Sequence, residues 1–322
     1  MGSFTRAVYV DTARADRHDG PERLRVAGCI VDEVIASTPG EVSDAARDAQ
    51  VVLLGDSPFT RAVFSSLPEL RLVSTVTVGV DQVDLDAARE HGVWVANTPG
   101  AVTEEVAATA LAMALSLVRH LPFLDRHVRD GGWDAFSTGP RRRPSTLTLG
   151  IVGLGRTGRR LTEIARPVFG EIIGSDPLPI GPLPDGIALV PFDQLLEQAD
   201  VISLHVPAER GAPPLVNAEV LTKCKAGTYL VNVSRGALVD TAALLSALDS
   251  GQLAGAGLDV VAGEPPAADA AIRTHPRVIV TPHAAFYSAE SEAAACAHQA
   301  ENVIAWARTG RPLTPVVEGR AR

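Results

Sequence analysis

The chain has 322 residues, enough for two domains of ordinary size with sizeable cores. Hydrophobic residues make up 46% and charged residues 21%, a balance that excludes wholesale disorder. The net charge is −9 and the densest basic stretch is Arg141-Arg142-Arg143, so the broad basic face a nucleic-acid partner needs is not expected.

The first hundred residues alternate short apolar runs with helical patterns. Ala7–Val10, Cys29–Ile35, Val51–Leu54, Leu72–Val76 and Val93–Ala96 read as buried strands. Ser43–Asp48, Thr60–Leu67 and Leu85–His91 read as helices between them, and the alternation predicts parallel βα units. Asn97-Thr98-Pro99-Gly100 is a turn signal. Thr103 opens the next helix: its hydroxyl can cap the end, and Glu104 and Glu105 suit a positive N-terminus. Val106, Leu111, Leu115 and Val118 recur at helical spacing before Pro122 ends the run, and this helix is a candidate interdomain connector. Gly131 to Pro144 reads as a loop.

A second alternating set follows. Leu147–Val152, Ile172–Ser175, Val201–His205, Tyr229–Val233, Gly257–Val260 and Val278–Val280 are strand candidates, six in all, the count of a full dinucleotide-binding sheet. A last helix from Ala289 to Arg308 ends at Gly310 and is long enough to carry the chain back to the first domain. The expected fold is α/β, with two Rossmann-like domains built on doubly wound parallel sheets.

The cysteines Cys29, Cys224 and Cys296 are odd in number and scattered, which points to a reducing compartment; with no CxxC pair, no metal site is expected. Met1 to Arg6 lacks the apolar core of a signal peptide. The charge-free run Val106–Val118 falls short of the roughly 18–20 residues of a membrane span. A soluble, cytoplasmic protein with no membrane partner is the expectation.

Gly153-Leu154-Gly155-Arg156-Thr157-Gly158 stands between the strand ending at Val152 and a helix read from Arg159 to Arg166, the context a dinucleotide-binding GxGxxG requires. Gly153 permits the tight turn, Gly155 lets a pyrophosphate approach the backbone, and Gly158 lets helix and strand pack closely. The N–H groups near Arg156 and Thr157 would face the phosphates. Asp176 ends the next strand, where a carboxylate accepts from the ribose hydroxyls and repels a 2′-phosphate. No Arg or Lys occurs from Pro177 to Gln198, so NAD (as NADH) is favoured over NADP.

Arg235, Glu264 and His283 each lie just beyond a predicted parallel strand, at the edge where open α/β sheets bind ligands. A 2-oxo acid needs its carboxylate and carbonyl fixed, which a forked guanidinium does well. Hydride arrival makes an alkoxide that needs a proton, and histidine is the usual acid and, in reverse, the base. A carboxylate beside the imidazole holds its orientation. Taken singly, each has a plain structural explanation: a surface ion pair, a turn residue, a satisfied histidine.

Together, Gly153–Gly158, Asn232-Val233-Ser234-Arg235-Gly236, Gly257-Leu258-Asp259-Val260 with Glu264-Pro265, and Thr281-Pro282-His283 resemble the D-isomer-specific 2-hydroxyacid dehydrogenase family. Val78-Gly79-Val80-Asp81-Gln82-Val83-Asp84, Asn97-Thr98-Pro99-Gly100 and Ser203-Leu204-His205-Val206-Pro207 also match, so the resemblance covers nearly the whole chain. It implies a discontinuous substrate domain, 1–98 with 288–322, around an NAD-binding domain, 99–287. It implies that Val78 and Gly79 hold the substrate carboxylate, Arg235 binds substrate, His283 exchanges the proton and Glu264 supports His283. Thr103, His205, Val206, Pro207, Val233, Ser234 and Asp259 would line the cofactor, and the protein would be a homodimer.

Within the family, Thr281 to Ser288 is similar to the branch containing C-terminal-binding-protein corepressors and their bacterial relatives, and D-lactate dehydrogenases also carry an aromatic pair after this histidine. Formate dehydrogenases carry glutamine where Glu264 stands, and phosphite dehydrogenases carry lysine where Val78 stands, which disfavours both substrates. The loop Leu54 to Phe59 lacks the arginine typical of phosphoglycerate dehydrogenases and adds Asp56. Ala208 to Pro213 departs from the family pattern. Phe59, Trp133, Phe286 and Tyr287 are candidates for shaping the pocket. The expected function is NAD(H)-dependent interconversion of a 2-oxo acid and a D-2-hydroxy acid; the alternative is an NAD(H)-sensing, corepressor-like binding protein with little turnover.

Overall fold

The computed structural model describes residues 5–12, 17–179 and 181–320. Met1 to Phe4, most of the segment read for a leader, lie outside the described residues. The chain divides into two compact units: residues 1–102 with 287–322, and residues 103–286.

In chain order the first unit begins with β1 (Thr5–Asp11), α1 (Gly20–Val26), β2 (Cys29–Ile35), α2 (Pro39–Ala45), β3 (Val51–Leu54), α3 (Arg61–Ser66), β4 (Leu72–Thr75), α4 (Leu85–His91) and β5 (Trp94–Ala96). The second unit holds α5 (Thr103–Val118), α6 (Leu121–Arg129), β6 (Thr148–Val152), α7 (Arg156–Ala165), β7 (Glu171–Ser175), β8 (Ala188–Leu189), α8 (Phe192–Gln198), β9 (Val201–Leu204), α9 (Ala218–Lys223), β10 (Thr228–Asn232), α10 (Thr241–Ser250), β11 (Leu253–Leu258), α11 (Ala271–Thr274) and β12 (Val278–Val280). α12 (Ala289–Thr309) and β13 (Pro315–Val317) belong to the first unit.

The first unit's sheet runs β2-β1-β3-β4-β5-β13, parallel except for β13 against β5. Its 2-1-3-4-5 order is the flavodoxin-like doubly wound arrangement. The second runs β8-β7-β6-β9-β10-β11-β12, all parallel. That is the 3-2-1-4-5-6 dinucleotide-binding order with one strand added. Each sheet carries an apolar cluster on both faces, as doubly wound sheets require.

Several elements depart from the sequence pattern for local reasons. α2 starts at Pro39, ahead of the expected Ser43, because Thr38 and Glu41 form a reciprocal capping box. Pro122 sits in the first turn of α6, where a missing N–H costs nothing, and so opens a helix. α5 has already ended, with His120 at φ +56 making the corner. β11 runs Leu253–Leu258, earlier than the expected Gly257–Val260. Its two glycines mask the strand pattern because α5 packs there: a Cβ on Gly257 would lie 3.0 Å from the Met113 side chain. The exposed two-residue β8 and the partly buried three-residue β13 are too short for an alternating pattern. Phe59 is fully buried and packs edge-on against Phe64 at 4.8 Å, so it is a core residue and does not shape a pocket. Among the described residues, no single helix is long and apolar enough to cross a membrane; α5 and α6 pass together by length and composition only, bent by 60°.

Asp200, buried just before β9, ties the sheet's start together. Its carboxylate accepts from Thr148 N at 2.9 Å, Arg142 Nη1 at 2.7 Å and Lys225 Nζ at 3.3 Å. Burial pushes the carboxyl up, but the Thr148 N–H and the two cations outweigh it and hold it below the usual range. Asp200→Asn should cost about 1–3 kcal/mol at neutral pH. A depressed folded pKa stabilises above the unfolded value of about 3.9 and is lost as pH falls through the folded one. Urea unfolding should therefore show the gap between the two proteins narrowing as pH is taken below about 4.

Candidate active site

In a parallel sheet every strand delivers its C-terminal loop to the same edge, so the second unit gathers the ends of β6, β7, β9, β10, β11 and β12 along one line. The order reverses between β6 and β9, the switch point where such sheets bind ligands. Gly153 turns there at φ +95, and a Cβ on it would lie 2.5 Å from the His205 carbonyl oxygen. Gly158 packs on that turn: its Cβ would lie 2.0 Å from Gly153 O. A Cβ on Gly155 would meet nothing within 4 Å among the described residues. Gly155 is also the N-cap of α7, which no side chain caps, so the first-turn N–H groups at Arg156 and Thr157 open onto that free space. α7 begins at Arg156, three residues before the expected start, which puts these N–H groups on the helix axis.

Asp176, half-buried after β7, accepts from Leu154 N at 2.7 Å and Leu178 N at 2.8 Å. Its carboxylate is thus fixed against the glycine turn. Arg159 of α7 reaches the same loop, donating to Leu154 O at 2.8 Å and to Pro182 O. This cation lies outside residues 177–198 because it arrives from another element, α7. Next to Gly153, His205 pairs its Nε2 with Ser203 Oγ at 2.8 Å, while Nδ1 is enclosed without a partner among the described residues. Burial pushes its pKa down to about 4, so the ring is neutral near pH 7. Val206 borders Gly153, with Pro207 exposed beyond it. Thr103 is the first residue of α5.

Glu264 and His283 are brought together: His283 Nδ1 lies 2.7 Å from Glu264 Oε2, and Glu264 Oε1 accepts from Val261 N at 2.9 Å. Both side chains are partly exposed. His283 adopts φ +54, a left-handed conformation costly for a non-glycine residue. Its turn is held by Asp259, which is 2% exposed: the carboxylate accepts from Thr281 Oγ1 at 2.6 Å, Ala284 N at 2.9 Å and Ala285 N at 2.9 Å, and Asp259 O accepts from His283 N at 2.8 Å. Arg235, half-buried after β10, donates from Nη1 to Ser234 O at 2.7 Å. Its loop is packed on that of Glu264, since a Cβ on Gly236 would lie 2.0 Å from Val261 O. Buried Asn232 shapes this turn, donating to Arg235 O and accepting from Ser234 N, and Ser234 Oγ donates to Leu204 O beside buried Val233. Asn232 and Thr281 received no role from the sequence. The available signal was a polar residue closing an apolar strand run.

In the first unit, Val78 and Gly79 lie on the loop after β4, with Val78 39% exposed. The N–H groups of Thr77 to Val80 have no acceptor among the described residues. Trp133 and Phe136 are exposed, as is Tyr287. No group of His, Cys, Asp or Glu that could hold a metal ion occurs among the described residues.

The sheet order, the open glycine cradle and the fixed carboxylate after β7 fit a dinucleotide and define a Rossmann-type dinucleotide-binding domain. Comparison with known proteins gives the family. Residues 111–285 match the NAD-binding domain of D-isomer-specific 2-hydroxyacid dehydrogenases. A glyoxylate reductase from Korarchaeum cryptofilum is 37% identical over 271 residues, 81% of this chain and 80% of that one. A D-3-phosphoglycerate dehydrogenase from Bacillus subtilis is 34% identical over 289 residues, 88% of this chain but 54% of its own length, so the chain spans about half of that relative. A solved NADPH-dependent glyoxylate/hydroxypyruvate reductase from Sinorhizobium meliloti, with NADP and malonate, is 32% identical over 99% of each chain with a TM-score of 0.85. The chain belongs to the D-isomer-specific 2-hydroxyacid dehydrogenase family.

Gly155 and Gly158 separate binding from folding. Gly155→Ala should leave the melting temperature nearly unchanged yet weaken NADH binding at least about tenfold, because its methyl enters the open cradle. Gly158→Ala should lower the melting temperature, because its methyl has no room. Calorimetric melting and NADH fluorescence titration check both.

Proposed function

We propose that the protein reduces a 2-oxo acid to a D-2-hydroxy acid, and runs the reverse reaction, with NADH preferred to NADPH. The observation that carries this proposal is the 2.7 Å contact between Glu264 and His283 Nδ1 on the strand edge that carries the glycine turn. With Nδ1–H donated to the carboxylate, Nε2 is the nitrogen that exchanges a proton. The nicotinamide, when bound, supplies or accepts the hydride. His283 Nε2 gives the proton to the alkoxide in reduction and takes it back in oxidation. Arg235 offers a forked cation to the substrate's carboxylate and carbonyl. The N–H groups at Val78 and Gly79 take the carboxylate. Glu264 fixes the imidazole, and Asp259 fixes the turn beneath it.

The glycine turn with Arg156 and Thr157 takes the pyrophosphate, and Thr103, His205, Val206, Pro207, Val233, Ser234 and Asp259 line the remainder of the cofactor. Asp176 receives the ribose hydroxyls and disfavours a 2′-phosphate. Arg159, although near, directs donors to carbonyls of its own unit. The substrate domain is assigned to 1–98 with 288–322 and the cofactor domain to 99–287. A homodimer through the cofactor domain would cover Trp133 and Phe136, 90% and 83% exposed. A cytoplasmic location fits three buried free thiols.

His283→Ala should lower kcat by about 10²–10⁴-fold while NADH affinity is unchanged. Stopped-flow turnover with glyoxylate, hydroxypyruvate and pyruvate, alongside NADH titration, checks this, and wild-type turnover in the variant rules out His283 as the proton carrier. Asp176→Ala should shift the NADH-to-NADPH ratio of kcat/KM toward NADPH by at least about tenfold, some 1.4 kcal/mol. An unchanged ratio removes Asp176 as the ribose ligand. Tight NADH binding by the unsubstituted protein, with no turnover on any 2-oxo acid, would favour the corepressor-like alternative.

A further inference from the structure

The loop after β4 is arranged peptide by peptide. In a planar trans peptide the carbonyl and the following N–H point in opposite directions, so holding a carbonyl aims the next residue's N–H. Four successive carbonyls are held. Val76 O accepts from Thr98 Oγ1 at 2.8 Å. Thr77 O accepts from Thr75 Oγ1 at 3.0 Å and Thr98 N at 3.3 Å. Val78 O accepts from Asn97 Nδ2 at 2.6 Å, and Gly79 O from Thr77 Oγ1 at 2.6 Å. The N–H groups on the far side of these four peptides belong to Thr77, Val78, Gly79 and Val80, the same four that lack an acceptor among the described residues. N–H groups left without a protein acceptor in this way are available to an anionic ligand.

The weakest of the four peptides is Val78–Gly79. Glycine rotates freely about its backbone, so this plane can turn over at little steric cost unless its carbonyl is held. Asn97 Nδ2 is the donor that holds it. Asn97 is itself anchored: its carbonyl accepts from Asn302 Nδ2 at 3.0 Å and Thr314 Oγ1 at 2.6 Å, and its N–H donates to Thr314 O at 3.3 Å. Asn302 is fully buried in α12, and its Oδ1 accepts from Thr314 N. A continuous set of hydrogen bonds therefore runs from α12 through Asn97 to the peptide that presents Gly79 N–H.

We infer that Asn97 is a positioning residue for substrate carboxylate binding, acting by holding the Val78–Gly79 peptide with its N–H toward the ligand. The inference rests on the assignment of this loop to the substrate carboxylate. Its effect belongs to ligand capture, because the proton and the hydride are handled in the other unit.

The test uses oxamate, an unreactive analogue of pyruvate, titrated into the NADH-loaded protein with NADH fluorescence as the readout. Asn97→Ala should raise the oxamate Kd and the KM for the 2-oxo acid at least about tenfold, with kcat at saturation and NADH Kd within about threefold of wild type. Asn97→Asp keeps the side chain's shape and its backbone anchors but has no donor, so it should show the same split if the alanine variant does not fold. Wild-type oxamate affinity in either variant overturns the inference, as does a fall in kcat with KM unchanged. If the unsubstituted protein binds NADH but no oxamate, the carboxylate assignment itself fails and takes the inference with it, which keeps the two failures distinct.

Discussion

The carboxylate of Asp259 is the constraint on which the catalytic edge depends. It lies at the end of β11, almost fully buried, and three donors from the turn at Thr281, Ala284 and Ala285 converge on it. A buried carboxylate is costly unless its lone pairs are filled, and here they are filled by the segment that must carry His283. The same contacts offset the left-handed backbone of His283, a conformation costing of order 1–2 kcal/mol for a residue with a Cβ. Strain of this kind persists where surrounding structure over-determines it. The consequence is an imidazole whose direction is fixed by its backbone on one side and by Glu264 on the other.

On the proposed function, both units meet an anion with main-chain N–H groups. In the second unit the donors come from the uncapped start of α7, opened by a glycine with no side chain in the way. In the first, they come from a loop whose carbonyls are all occupied elsewhere. Backbone donors carry no titratable charge and need no reorganisation once their carbonyls are held, which would suit the proposed binding and release of a small acid.

The sequence made the strands legible because buried parallel strands are continuous apolar runs, and Val51–Leu54 and Val278–Val280 coincide with the observed elements. The bounds of Cys29–Ile35 coincide too, but it was expected to be buried and is instead a largely exposed edge strand carrying Asp32 and Glu33. Arg235, Glu264 and His283 stood out because polar residues directly after such runs lie on the ligand-binding edge of a parallel sheet, and the contact between Glu264 and His283 is there. What stayed hidden is carried by hydrogen bonds between distant positions, which leave no periodicity. Thr281 to Asp259, Asn97 to Val78 and Asn302 to Asn97 are examples. Arg159 was missed because it reaches its loop across the fold. β8 and β13 were missed because two or three residues cannot show an alternation.

The most direct measurement is the ¹H–¹⁵N spectrum of protein labelled at its histidine ring nitrogens, with His283→Ala used to assign the signal. In the neutral His283 ring the proton should reside on Nδ1, shifted by its hydrogen bond to Glu264, with Nε2 unprotonated and available to substrate. A neutral ring protonated on Nε2 would contradict this arrangement, because Glu264 would then face a nitrogen with nothing to donate.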